Sequence, residues 1–350
     1  MTILFVLLAI LLLGLLITVH ELGHYLTARA LKIAVKEFSV GFGPKLWQRQ
    51  SKKTETLYSL RAIPLGGYCA FYDEDTQTLP DDDPRRYNAA AAWKRMLVVV
   101  AGAAMNILLA FVLAIVLQLS YGAMPVQPYI TEVVAGSPAA AAGIEAGDVL
   151  KAVQGQEIAK GDVNALSAAV DTLAEGEAVT LTLERAGDTV TVNVVPLYDE
   201  AEGRALIGVG VQAGERLNVV QAMGAAWESC VYASTIIVES LGNLIFHGEG
   251  AQDIAGPVGV VQVIAEQTRS GGLYMYLSLA VLISINLGLI NLLPIPGLDG
   301  SRFLFLVAEA VRRKPVNRKV EGTIHLIGFV LLFGLLIVFT FRDITRLFGG

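Results

Sequence analysis

Four long apolar runs punctuate the chain: about Ile3–Leu26, Met96–Leu117, Leu273–Leu293 and about Thr323–Phe341. Each is long enough to cross a bilayer core as a helix, which takes about 20 residues. The second and third hold no charged residue over 22 and 21 positions. Between the first two runs the pattern turns to alternation. Phe38, Val40 and Phe42 alternate until Gly41, Gly43 and Pro44 break the rhythm, and a second such stretch around Leu57, Tyr58, Leu60 and Ile63 closes at Gly66-Gly67. Residues 34–71 therefore predict hairpins or a small sheet beside the membrane. Bare sheet edges cannot face lipid, so this sheet must be shielded by protein or line a polar cavity. The acidic, proline-containing stretch Asp73–Arg86 predicts a surface loop.

Beyond the second run the hydrophobic period shortens again. Tyr129–Val134 and Val179–Leu183 predict strands and Val163–Leu173 a helix, with Gly136-Ser137-Pro138, Ala142-Gly143 and Gly147-Asp148 as punctuation. This is a compact soluble insert. Leu217–His247 has apolar residues at helical spacing interrupted by Glu228 and Glu239, which predicts an amphipathic helix lying on the outer leaflet, with a fifth span as the alternative that the two carboxylates disfavour.

Composition agrees with that division. Of 350 residues, 54 % are hydrophobic and 17 % charged, against about 25 % charged in soluble domains. A net charge of −6 speaks against a nucleic-acid partner. Basic residues set an orientation. Arg302, Arg312, Arg313, Lys314, Arg318 and Lys319 crowd the short connection between runs three and four, the connection between runs one and two is also basic, and the long segment between runs two and three has only six Lys and Arg. Positive-inside bias places the first two connections in the cytosol and the insert outside, with both chain ends facing outward. Cys69 and Cys230 then lie on opposite sides and do not pair. The first run is too long, and lacks the basic start, of a cleavable signal peptide.

The first apolar run ends in His20-Glu21-Leu22-Gly23-His24. Residues four apart share one helix face, so His20 and His24 can offer two imidazoles to one metal ion. Glu21, about 100° further round, stands beside such an ion and can take a proton from water. Charges inside a span cost roughly 2.5–3.5 kcal/mol on insertion scales, so they are usually functional. Catalytic zinc takes three protein ligands. The third run ends at Pro294 and Pro296, and Asp299 follows at the cytosolic edge, the end at which the first run also finishes. The third ligand is thus expected at Asp299. The other histidines, His247 and His325, predict a surface side chain and a headgroup anchor.

With these residues in place, the chain resembles the site-2 protease family of intramembrane zinc metalloproteases, in particular bacterial members of the regulator-of-sigma-E protease type with one PDZ domain. The resemblance rests on His20–His24, Gly41-Phe42-Gly43-Pro44, Ala101-Gly102 with Asn106, Gly256-Pro257-Val258-Gly259, and Asn291 through Gly300. It implies a polytopic α-helical membrane protein of about four transmembrane helices, with a membrane-associated β-sheet and an extracytoplasmic PDZ domain. Residues 1–122 are expected to form an N-terminal membrane region, 123–215 the PDZ domain, 216–272 the amphipathic segment, and 273–350 a C-terminal membrane region. The resemblance also implies Zn2+ on His20, His24 and Asp299, Glu21 as catalytic base, and substrate handling by Asn291. Asn286 and Asn106 are expected to line the polar core, and Gly66 and Gly67 to allow a substrate strand to approach. Single-span membrane proteins already cut outside, such as anti-sigma factors, or remnant signal peptides, are the implied substrates. Lipid, and a peptide tail on the PDZ domain, are further partners. The implied location is a bacterial cell membrane. Two positions depart from the family pattern: Ala103 stands where proline is frequent, and Ser301 where a second glycine is frequent. Two other classes fit parts of the pattern, a non-enzymatic metal carrier and a PDZ scaffold with an inactive metal site.

Overall fold

The computed structural model describes residues 3–72, 79–80, 83–122, 128–159, 162–174, 176–185, 187–199, 204–213, 217–250 and 255–348. The predicted loop Asp73–Arg86 lies partly outside them. Two compact units result, Met1–Ala114 with Ser229–Gly350, and Ile115–Glu228.

The larger unit is built on helices. Helix α1 (Ile3–Ala30) is apolar all round up to the motif, as a lipid-facing helix must be. It leads into strands β1 (Val35–Gln50) and β2 (Leu57–Phe71), then α2 (Ala92–Tyr121). Among the described residues four helices are long and apolar enough to cross a membrane: α1, α2, Pro257–Asn291 and Lys319–Arg346. The four apolar runs all fall within them.

Strands β1 and β2 are antiparallel and strongly bent, so that Phe38 lies opposite both Cys69 and Tyr58. The ribbon is laid along α1 rather than left bare. A Cβ on Gly14, in the middle of the first apolar run, would sit 2.3 Å from the Pro64 carbonyl oxygen. The expected shielding of the sheet is thus provided by α1, while Phe42, Leu46, Trp47, Leu60 and Ile63 point outward as an exposed apolar surface. Arg61 ties the ribbon together by donating to Glu37 at 2.9 Å, to the Ser39 hydroxyl at 3.1 Å and to the Gly43 carbonyl at 3.0 Å. Burial alone would raise the Glu37 carboxyl, but hydrogen bonds from Ser59, Arg61 and Tyr68 outweigh it and hold the group below the usual carboxylate range.

The smaller unit contains β3 (Pro128–Val133), α3 (Pro138–Ala141), β4 (Val149–Val153), β5 (Gln156–Glu157), α4 (Ala165–Asp171), β6 (Val179–Arg185), β7 (Asp188–Val194), β8 (Leu197–Asp199), β9 (Arg204–Leu206) and β10 (Val209–Ala213). The main sheet runs β10-β3-β4-β6-β7 with β5 on β4, and β8 pairs with β9. Its core is Ile130, Leu150, Val179, Leu181 and Leu183, all fully buried. Arg185 grips the turn before β4. It donates twice to Asp148, at 2.7 Å each, and once to the Gly143 carbonyl at 2.7 Å. The Asp148 side chain is 1 % exposed, and the Arg185 guanidinium holds its carboxyl below the ordinary range. Such a group stabilises the fold above its unfolded pKa, about 3.9, and the stabilisation is lost as pH falls through the lower folded value. Asp148→Asn is expected to cost about 1.5–3 kcal/mol of this unit's stability at neutral pH. The difference from wild type should fade below about pH 4. Hydrogen exchange of the β3–β7 amides in the whole protein measures both; equal protection at pH 7 would refute the assignment.

Helix α5 (Val219–His247) follows, then α6 (Pro257–Asn291), α7 (Asp299–Arg312) and α8 (Arg318–Phe348). Two differences from the sequence reading appear here. Helix α6 starts well before Leu273, crossing the expected 272/273 boundary, and leaves helical geometry only at Gly272 (φ 59°, ψ −146°). The stretch after Asp299, read as a short basic connection, is the helix α7. Leu306 is buried and Phe303 and Val307 are partly buried, at the three-to-four spacing of one helical face. The turn after it uses Arg313 at φ +53°.

Candidate metal centre and catalytic site

His20 and His24 lie on one face of α1 and are both buried. His24 Nδ1 is 2.8 Å from the Val98 carbonyl oxygen of α2. That carbonyl accepts only, so in the neutral ring the proton sits on Nδ1 and Nε2 presents a lone pair. Three ligand atoms then converge. His24 Nε2 is 3.1 Å from His20 Nε2, and Asp299 Oδ2 is 3.0 Å from His20 Nε2 and 3.2 Å from His24 Nε2. One proton on His20 Nε2 can serve only one of its two neighbours. A divalent cation serves all three, and two imidazoles with one carboxylate is a donor set suited to Zn2+. Among the described residues, these are the group of His, Cys, Asp or Glu arranged to hold a metal ion.

Small residues make the convergence possible. A Cβ on Gly102 would lie 2.4 Å from His24 Nε2 and 2.7 Å from His20 Nε2, so α2 approaches the centre only because it has hydrogen there. Gly23, inside the motif, likewise meets the Ala101 carbonyl at a hypothetical 2.3 Å. On the other side α6 ends at Asn291, and Asp299 opens α7. Gly300 has no room for a side chain, since its Cβ would stand 2.2 Å from the Leu292 carbonyl oxygen. Ser301 is buried and donates to the Leu298 carbonyl at 2.8 Å, closing the first turn of α7. The serine departure therefore has a local role. Gly288 on α6 packs close to the Ala103 carbonyl oxygen, 3.1 Å from a hypothetical Cβ, so the alanine departure sits at the α2–α6 contact.

Glu21 is aimed by the sheet. Its Oε2 accepts the Cys69 N–H at 2.9 Å. Glu21 shares a cavity of about 310 Å3 with His20, His24, Asp299, Asn291, Tyr68 and others. The structure thus brings together Glu21, His20, His24, Asp299 and Asn291. Asn286, Gly66 and Gly67 are not among the residues lining that cavity. Asn286 is half-buried on α6. Gly66 takes φ +110° and fits against Phe42 and Ile17, and Gly67 fits against the Ser39 carbonyl, so both serve the packing of the ribbon. Asn106 is fully buried, and its side-chain amide has no hydrogen-bond partner among the described residues. Its backbone carbonyl accepts from Ser284 at 2.8 Å. His247 is exposed, as expected. His325, near the start of α8, has a partner within the protein: its Nδ1 accepts the Gly297 N–H at 3.2 Å. The Val98 carbonyl, the Cys69 amide and Tyr68 are site groups that no motif announced.

Fold and centre together define a multi-pass helical membrane protein with a buried two-histidine, one-aspartate cluster beside a glutamate. Comparison with known proteins specifies the class. The model of peptidase family M50 matches residues 8–335. The chain is 32 % identical over 339 residues to a Clostridium acetobutylicum protein named as a candidate zinc metalloprotease, covering 97 % of each. It is 36 % identical to one so named from Synechocystis, covering 99 % of this chain and 96 % of the relative. It is 30 % identical to the zinc metalloprotease RasP of Geobacillus kaustophilus, covering 96 % of each. The chain belongs to peptidase family M50, the site-2 proteases, and is a zinc metalloprotease.

Proposed function

We propose that the protein hydrolyses peptide bonds within or next to transmembrane segments of other membrane proteins. Three ligand atoms from opposite ends of the sequence, all within 4.8 Å of one another and sharing a cavity with Glu21, carry this reading. His20, His24 and Asp299 hold Zn2+. When bound, the ion supplies Lewis acidity toward water and toward a peptide carbonyl. Glu21, fixed by the Cys69 amide, takes the proton of the attacking water. The water oxygen bonds to the carbonyl carbon, the C–N bond breaks, and Glu21 returns its proton to the departing amine. Asn291 lines the cavity and positions the substrate backbone.

A helical substrate conceals its carbonyls and must unwind before attack. The bent β1–β2 ribbon is the element able to receive the unwound segment as an added strand, leaving no open edge in lipid. Gly66 and Gly67 support this by keeping β2 close-packed where it lies beside β1. The substrates are single-span proteins already cut outside, such as anti-sigma factors, or remnant signal peptides, in the manner of regulated intramembrane proteolysis. The cell is bacterial, like the relatives, and the segment 123–215 and both ends of the chain face away from the cytosol. That segment is a PDZ domain. Its support is a groove of about 480 Å3 between edge strand β10 and helix α4, lined by Val163, Leu166, Val170 and Val209 among others, which has the form of a site for an added peptide strand. Helix α5 lies on the outer leaflet, with Val220, Met223, Trp227 and Val231 exposed at helical spacing.

Two measurements test these statements. Stripping the metal with a chelator is expected to stop cleavage of a model single-span substrate, and added Zn2+ to restore it; chelator-resistant cleavage would refute the metal role. A cysteine introduced at Ala168 is expected to react with an impermeant thiol reagent in intact spheroplasts. Labelling only after lysis would reverse the topology.

A further inference from the structure

Asp299 is delivered by an awkward piece of chain. Residues 292–298 leave the end of α6 through two prolines, which donate no backbone hydrogen bond. Within the stretch Ile295 donates to Leu293 at 2.7 Å and Leu298 to Ile295 at 3.0 Å. The Gly297 N–H, two residues before Asp299, goes outside the stretch to His325 Nδ1 on α8. The same histidine ring meets Phe305 of α7 at 5.6 Å between centroids. It therefore touches both the loop before Asp299 and the helix that Asp299 opens. With Nδ1 accepting, Nε2 carries the ring proton, 4.0 Å from Glu321 Oε1 one turn back on α8.

The backbone around this contact is packed without slack. A Cβ on Gly328, one turn beyond His325, would lie 2.1 Å from the Pro296 carbonyl oxygen. Gly297, at φ +101°, rests against Phe329 and Leu332. Helix α8 also holds the far end of α6. The buried Asp343 carboxylate accepts the Gly259 N–H at 2.8 Å, in the first turn of α6. First-turn amides have no partner within their own helix, and an anion there is favoured by the helix dipole. Gly256 and Gly259 leave room for it. One helix thus braces α6 at its start and at the loop that follows its end.

We propose that His325 is a positioning residue for the metal centre, setting the place of Asp299 through the Gly297 amide and the Phe305 ring. The proposal rests on Asp299 being a zinc ligand. A leucine at 325 would keep the bulk but offer no acceptor, leaving the Gly297 amide unpaired and the loop free to shift. An asparagine carries an acceptor at nearly the same distance from the backbone as Nδ1.

The test is Zn2+ affinity of the full-length protein in detergent, measured by competition with a chromophoric chelator. His325→Leu is expected to weaken binding about 10- to 100-fold, the range seen when groups that orient metal ligands are removed. His325→Asn is expected to recover most of that loss. Equal affinities for wild type and His325→Leu, or equal losses for the leucine and asparagine variants, would overturn the proposal. Asp299→Ala separates the two readings. If it binds Zn2+ as wild type does, the ligand assignment fails; if it loses Zn2+ while His325→Leu keeps full affinity, only the positioning role fails.

Discussion

Glu21→Gln is expected to reduce cleavage about 10²- to 10⁴-fold, the usual contribution of a positioned general base, while Zn2+ content stays at the wild-type level. Glu21 is not one of the three converging ligand atoms, and it is held instead by the Cys69 amide of β2. Glutamine has the same shape and keeps an oxygen that can accept from Cys69, so the fold and the centre should survive. What it lacks is the ability to take a proton at neutral pH. The measurement pairs turnover of a single-span substrate with metal analysis of the purified variant. Loss of activity together with loss of zinc would mean that Glu21 is structural. Full activity would exclude it as the base.

Gly102→Ala is expected to be as severe by a different route. The added methyl would occupy space 2.4 Å from one imidazole nitrogen and 2.7 Å from the other, closer than non-bonded atoms tolerate. The rings have little freedom to move aside. His24 is tied to the Val98 carbonyl at 2.8 Å, and both Nε2 atoms must stay near Asp299 Oδ2. Metal and activity should both be lost, at least about 10²-fold in affinity, on the scale of changes that disturb ligand orientation. Gly334→Ala on α8 is the matched control. Nothing lies within 4 Å of its hypothetical Cβ, and in a helix alanine is favoured over glycine by about 1 kcal/mol. That variant should retain zinc and cleavage. Wild-type zinc affinity in Gly102→Ala would show that the centre can relax away from α2.

Much of this protein was open to sequence reasoning because its largest free-energy terms are local. Twenty apolar residues in lipid must form a helix, since each backbone amide needs a partner within the segment, so the four spans follow from the apolar runs alone. The motif on α1 was legible for the same reason: the spacing of His20, Glu21 and His24 is a property of one helix. Asp299 was reached by matching depth and ligand count, an argument about membrane topology rather than contact. Helix α7 was passed over because six basic residues within and just after it drew the reading toward a loop, although Leu306 and its neighbours keep a helical period.

Contacts between distant segments were decided by the tertiary structure. The Val98 carbonyl, the Cys69 amide and the Gly297–His325 hydrogen bond all join residues far apart in the chain, and backbone groups have no residue type by which a motif could reveal them. Gly66 and Gly67 were expected to let a substrate strand approach; the tertiary structure adds that Gly67 lets β1 pack close and that Gly66 fits against Phe42 of β1 and Ile17 of α1. The contact of His325 with the loop before Asp299 had no counterpart in its local sequence. By itself, then, the sequence determined which segments lie in the membrane and which residue types can bind a metal, because periodicity and ligand chemistry are local. Only the tertiary structure decided how closely α2 may approach two histidines, which amide aims Glu21, and which helix braces the loop carrying Asp299, because those depend on the steric fit between segments that no local pattern contains.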